Sequence, residues 1–126
     1  MKATIASLIF LLLSLAVSSQ TYKYIGIEEG LSNQKIYKIQ KDARGYMWFL
    51  THVGIDQYNG KEIKHYKLRE GNRELDPLLN INWTFLDKTG TLLVTGKQGR
   101  IFRYDSGHDR FVQIYNMYNY WNKDYH

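Results

Sequence analysis

Cysteine is absent from all 126 residues. An exported chain of this composition has no disulfide support, so a packed core or a partner must hold it together. The absence also rules out a lipid-anchored lipoprotein. Proline occurs once, at Pro77, and closes a charged stretch, Leu68 to Pro77. No apolar run reaches the ~18 to 20 residues that would span a bilayer; Ile5 to Val17 falls short of that. Paired metal-ligand spacing is missing as well. His52, His65, His108 and His126 lack the intervals of a zinc signature and none is framed by a nucleophile, so each reads as a turn or strand histidine. Gly96-Lys97-Gln98-Gly99 lacks the spacing of a phosphate-binding loop, and Asn82-Trp83-Thr84 fits a glycosylation acceptor only by chance within a strand. No catalytic residue, metal or cofactor is expected.

What the chain does have begins with a targeting pattern. Lys2 supplies a positive start, Ile5 to Val17 an apolar core that includes Leu11-Leu12-Leu13, and Ala16-Val17-Ser18-Ser19 the small residues a signal peptidase needs. Cleavage is expected between Ser19 and Gln20. Removing this segment takes the net charge from +5 to +4, since Lys2 is its one charged residue. The remaining basic excess is spread over Lys35, Lys38, Lys41, Arg44, Lys61, Lys64 and Lys67. That spacing is a solvated strand face and not a nucleic-acid patch, and export argues the same way.

The chain is organised around Asp42 to Gly60. Asp42 and Gly45 mark a tight reversal, because aspartate can bond the backbone two residues on and glycine can take positive φ. Tyr46 to Thr51 is too short and too aromatic for a helix and reads as a buried strand. His52-Val53-Gly54 breaks it. Ile55-Asp56-Gln57-Tyr58 alternates like a strand with one wet face, Asn59-Gly60 is a two-residue hairpin signal, and Glu62 to Tyr66 should be the next strand.

The unit returns once. Asp87-Lys-Thr-Gly90-Thr-Leu-Leu93-Val94-Thr95-Gly96 lies over Asp42 to Thr51 at an offset of 45 residues, and the register holds to Gly54 and Gly99. One inserted residue later, Ile55 to Asn59 lies over Ile101 to Asp105, with Tyr58 over Tyr104; strands at Ile63 to Tyr66 and Phe111 to Tyr115 follow. Ahead of the first copy, Tyr22 to Ile27 alternates as a leading strand, Glu28 to Asn33 is a turn, and Lys35 to Lys41 is a first strand. Leu78 to Leu86 opens the second copy. Asp42 and Asp87 hold equivalent places, which argues turn chemistry, whereas a catalytic carboxylate pair would need two different environments.

Gly30-Leu31-Ser32, Asp42-x-x-Gly45-x-x-Trp48-Phe49-x-Thr51, Gly54-Ile55 and Tyr58-Asn59-Gly60 together resemble the two-component regulator propeller repeat, each copy of which is one blade of a β-propeller. The resemblance covers about Tyr22 to Tyr115. The second copy departs from the pattern, with Leu93 in place of tryptophan and Gly96 in place of threonine. The fold class expected is all-β: antiparallel propeller blades, about two four-stranded ones of an incomplete propeller, after an N-terminal signal-peptide helix. The divisions are 1–19 signal peptide, 20–34 leading strand and turn, 35–67 first blade, 68–77 linker, 78–115 second blade and 116–126 tail. Asp42, Gly45, Trp48, Thr51, Gly54, Tyr58, Gly60, Asp87, Gly90, Gly99 and Tyr104 are the structural repeat positions.

The resemblance implies the periplasmic sensor region of a hybrid two-component system that responds to oligosaccharides. Its members carry many blades, a further β domain, a membrane helix and a histidine kinase, and that apparatus does not follow here. Two blades cannot close a ring, which takes about four to eight, so Trp48, Phe49, Leu93 and Phe102 are expected to expose surfaces meant for further blades. The chain therefore reads as the N-terminal piece of a larger sensor, joined to the membrane only through the missing C-terminal part. Its expected partners are the parent's further blades or a homo-oligomer, and an oligosaccharide. The 11 tyrosines and 3 tryptophans could stack on sugar faces, though Trp48, Tyr58 and Tyr104 are better placed for packing; Tyr115, Tyr118, Tyr120, Trp121 and Tyr125 lie outside the repeat, and no ligand-binding residue follows from the resemblance. The alternatives are a secreted propeller-type glycan-active enzyme fragment, which would need acidic or histidine residues converging on a ring axis, and a small exported interaction protein pairing through open blade edges.

Overall fold

The computed structural model describes residues 1–14, 20–76, 81, 83–117 and 119. Ser19 and Pro77, and with them the cleavage point and the end of the expected linker, lie outside the described residues. Helix α1 spans Lys2–Ser14, and no described helix is long and apolar enough to cross a membrane.

The first blade is the antiparallel sheet β1 (Ile36–Lys41), β2 (Met47–Thr51), β3 (Gly54–Tyr58) and β4 (Ile63–Tyr66), in that spatial order. A two-stranded hairpin follows, β5 (Arg69–Glu70) and β6 (Arg73–Glu74). The second blade is β7 (Trp83–Leu86), β8 (Leu92–Thr95), β9 (Arg100–Asp105) and β10 (Arg110–Asn116), again an antiparallel meander. Between helix α1 and the helical residues Met117 and Asn119, the described elements are β-strands apart from the short 3-10 turn Lys97–Gly99.

Period-two alternation assigns each side chain to a blade face. On the first blade, Leu50 pairs with Ile55 and Ile55 with Tyr66, and Trp48 stands one step along the same face. These residues form one core with Leu92, Val94, Phe102, Tyr104 and Phe111 of the second blade. Four rings lock the seam: Trp48 lies 4.8 Å from Tyr104 and 5.7 Å from Phe111, and Tyr66 packs edge-on to both. Such tilted and edge-to-face pairs add about 0.5–1.5 kcal/mol each beyond the area they bury. The hairpin between the blades joins this core, with Leu68 and Leu75 both buried and Leu75 N–H donating to Leu68 C=O at 2.9 Å. Its charged residues face outward, so the charge of the segment hides a two-leucine plug.

The other face of the first blade carries Phe49, Asp56 and His65 in one cross-strand row. Residues 26–33 cover its centre at Asp56, while Ile39 and His65 at its two sides stay exposed. Tyr22 to Ile27 joins no strand ladder, contrary to the leading strand expected. In its place Gly26 C=O accepts from Leu31 N–H at 2.9 Å, making a compact strap whose Leu31 is buried. Because both faces of the blade are covered at its centre, β3 has no wet face: Asp56 and Gln57 are as buried as Ile55. The β3–β4 connection is four residues long, not two. Asn59 Oδ1 accepts from Lys61 N–H and Glu62 N–H, and Tyr58 pairs with Ile63.

Trp48, Phe49, Leu93 and Phe102 are all buried, against the exposure expected, and of the four Leu93 alone stands in a row of the face left open. Trp48 and Phe102 meet in the seam, and Phe49 lies on the strap's side. The open surface is the face of the second blade that corresponds, by repeat position, to the first blade's seam face. Phe85, Leu93, Arg103 and Val112 form one row across it, and Trp83, Thr95, Ile101 and Tyr115 the next. Trp83 is 61% exposed, and Phe85, Val112 and Tyr115 are exposed as well.

Candidate functional site

The repeat residues fall into one local device. Asp42 is buried in the β1–β2 turn; its Oδ1 accepts from Arg44 N–H and Tyr46 N–H, and its Oδ2 accepts from Trp48 Nε1–H at 2.9 Å. One carboxylate therefore shapes the turn and holds the indole that fills the seam. Gly45 completes the turn at φ +86°. In the second blade Asp87 Oδ1 accepts from Thr89 N–H, Thr89 Oγ1–H and Thr91 N–H. The Leu93 side chain offers no N–H, and Arg103 Nε takes the vacant role by donating to Asp87 Oδ2 at 3.0 Å. The Thr89 hydroxyl foremost, then Thr91 N–H, hold Asp87 well below the usual carboxylate range. The two turns touch, since Ala43 N–H donates to Gly90 C=O at 3.1 Å.

Thr51 donates to Gly54 C=O and accepts from Val53 N–H, closing the β2–β3 turn. Tyr58 Oη donates to Gly60 C=O. Gly99 ends the 3-10 turn Lys97–Gly99 at the start of β9, and Tyr104 stands in the ring cluster. Of the repeat positions Asp42, Gly90 and Tyr104 line one small hollow of about 80 Å³ where the two turns meet. The others are spread through turns and seam.

A second cluster was not legible in the sequence. Asp56, fully buried, accepts from Ser32 N–H and Ser32 Oγ–H on Oδ2, both at 2.8 Å, while His65 Nδ1 lies 2.8 Å from its Oδ1. Ser32 Oγ also lies 3.0 Å from Thr51 Oγ1. The residue types are those of a hydrolytic triad, but the order differs. A nucleophilic relay needs the imidazole between hydroxyl and carboxylate; here the carboxylate stands in the middle and ties the strap to the sheet. An adjacent hollow of about 370 Å³ is lined by Ser32, Asp56, His65 and Lys67 among others. Gly30-Leu31-Ser32 was the available signal, but nothing in the sequence joined it to Asp56.

The third cluster closes the rim of the seam. Asp109, at φ +50°, accepts on Oδ1 from Tyr66 Oη–H and Tyr104 Oη–H, each at 2.6 Å, and pairs through Oδ2 with Lys64 at 3.0 Å. The Tyr104 hydroxyl first, then the Tyr66 hydroxyl and the Lys64 ammonium, bring the Asp109 carboxyl down to about 2. Burial above all, then the bond to Asp109, pushes the Tyr66 phenol well above its usual range. Two residues of the first blade and two of the second thus share one carboxylate tie. Beside it a groove of about 660 Å³ runs between β4, the β5–β6 hairpin and β10. Among the described residues no group of three or more His, Cys, Asp or Glu side chains is placed to hold a metal ion.

No curated protein matches the chain. Residues 30–52, from the strap through β2, match the model of the two component regulator propeller family, and this is the segment that holds Ser32, the Asp42 turn, Trp48 and Thr51. Residues 30–52 thus match one two component regulator propeller repeat, and they supply the strap and the first two strands of the four-stranded first blade.

Proposed function

We propose that the chain is an exported, periplasmic propeller segment of a two-component sensor, which binds an oligosaccharide and works with further blades of the same kind. The observation that carries this reading is the family match at residues 30–52, which falls on the strap and the first two strands of a four-stranded blade. Three features support the finer parts. Helix α1, uncharged after Lys2 and mostly apolar, suits the core of a signal peptide. The exposed face of the second blade, with Trp83, Phe85, Val112 and Tyr115, repeats the position of a seam face and has the apolar character another blade would cover. The clusters around Asp42, Asp56 and Asp109 are tied into turns, strap and seam, which suits a binding scaffold better than a catalyst.

Export is tested by the mass of the N-terminal peptide recovered from a periplasmic fraction, where a start at Gln20 is expected; soluble cytoplasmic protein retaining Met1 would refute it. The sensor reading is tested on the gene's locus and on ligands together. Further propeller repeats and a histidine kinase in frame, with a rise in Tm of the intact sensor for one class in an oligosaccharide panel, are the expected results. A locus without either, and a flat panel, would overturn it.

A further inference from the structure

We propose that the rim groove between β4, the β5–β6 hairpin and β10 is a docking site for an extended acidic peptide, which adds as a strand along Arg110–Gln113. The charges set the sign of the ligand. Both carboxylates of the groove are engaged: Glu70 pairs with Arg73 and Arg100, and Asp109 is held by Lys64 and two tyrosines. Two of its basic side chains are engaged too: His65 Nδ1 lies 2.8 Å from Asp56 Oδ1, and Lys67 pairs with Glu74. Arg69 and Arg110 line the same groove, are exposed, and have no ion-pair partner among the described residues. Guanidinium forks bind carboxylates in paired, charge-assisted hydrogen bonds, so the open valence is for acid groups.

The backbone sets the kind of ligand. β10 is an edge strand, paired on one side with β9 alone, and an extended peptide can take up the free N–H and C=O groups of such an edge. The register of β10 shifts between Gln113 and Tyr115, and the groove lining ends at Gln113. The usable edge and the groove therefore have the same extent. Gln113 Oε1 is buried with no hydrogen-bond partner among the described residues, an acceptor that a peptide N–H would satisfy. Buried Tyr66 and Phe111 supply an apolar floor, and a volume of about 660 Å³ lies within the range of ~300–1,000 Å³ usual for binding clefts. The sensor reading is not needed for this inference: Val112 borders both the groove and the exposed face, but neither Trp83 nor Phe85 lines the groove.

The test is fluorescence anisotropy of the full chain with a labelled decapeptide of alternating glutamate and valine. Saturable binding is expected, weakened at least tenfold by R69Q/R110Q and at least tenfold when alternate peptide nitrogens are methylated. The lysine–valine decapeptide should not bind. Both arginines are exposed, so the variant should keep the wild-type circular dichroism; the methylated series, run on the wild type, tests the strand pairing whether or not it does. Equal affinity for methylated and unmethylated peptide would overturn the proposal in favour of charge attraction alone. Binding of an oligogalacturonate without binding of the peptide would overturn it in favour of an acidic glycan, and absence of peptide binding would overturn it outright.

Discussion

Trp48 and Asp42 show why a tryptophan can be required where any large apolar residue would fill the space. The indole ring packs against Tyr66, Tyr104 and Phe111, and its N–H would be an unsatisfied buried donor without the Asp42 carboxylate. Trp48→Ala should therefore cost about 3–5 kcal/mol in chemical denaturation, the range for emptying a buried aromatic site. His52→Ala, which loses a bond to exposed Tyr37, should cost under about 1 kcal/mol; equal costs would contradict the assignment of Trp48 to the seam. Asp109 makes a prediction about pH. Its carboxyl titrates near 3.8 in the unfolded chain and near 2 in the folded one, so the unfolded state binds its proton first as the pH falls. The stability it lends is complete above pH 3.8 and is lost as pH drops through about 2. Denaturation midpoints at pH 6 and pH 2 should show Asp109→Asn less acid-sensitive than the wild type, and parallel losses would refute the tie.

At the scale of elements, the turns were legible and the long-range ties were not. Asp42, Gly45, Asp87 and Gly90 act within a few residues of themselves, so their spacing alone announced the two β-turns. The strap, the plug and the Asp109 tie depend on residues far apart in sequence: Ser32 with Asp56, Leu68 with the seam, Asp109 with Tyr66. Such contacts leave no period behind. They also explain why β3 departs from expectation: its polar Asp56 and Gln57 look solvent-facing until the strap covers one face and the second blade the other. The two turns differ in a way that can be measured. Gly45 sits at φ +86°, and a methyl group added there would find its nearest neighbour, Lys41 Cε, 3.9 Å away. At Gly90, φ +75°, a Cβ would come within 2.3 Å of Ala43 Cβ. Gly45→Ala should cost about 1–2 kcal/mol from backbone strain, and Gly90→Ala clearly more, because it also forces the blades' turns apart. Equal losses in thermal denaturation would mean that the turns do not meet.

At the scale of the whole molecule, successive blades pack by unlike faces. The first blade offers Trp48, Leu50, Ile55 and Tyr66, and the second receives them on Leu92, Val94, Phe102, Tyr104 and Phe111. The second blade then presents its own copy of the offering face, with Trp83, Phe85, Val112 and Tyr115 exposed and Lys38 of the first blade set over the Trp83 ring. Contacts between unlike faces repeat until a ring closes, and a strap already covers the opposite end of this stack at Leu31 and Ser32. That this exposed face docks a further blade is tested most directly by sedimentation velocity together with a hydrophobic dye. The chain should bind the dye and associate as its concentration rises, and Trp83→Ser with Phe85→Ser should abolish both while the circular dichroism of the sheets is kept. A wild-type chain that stays monomeric, excludes the dye and melts in one sharp transition would contradict it.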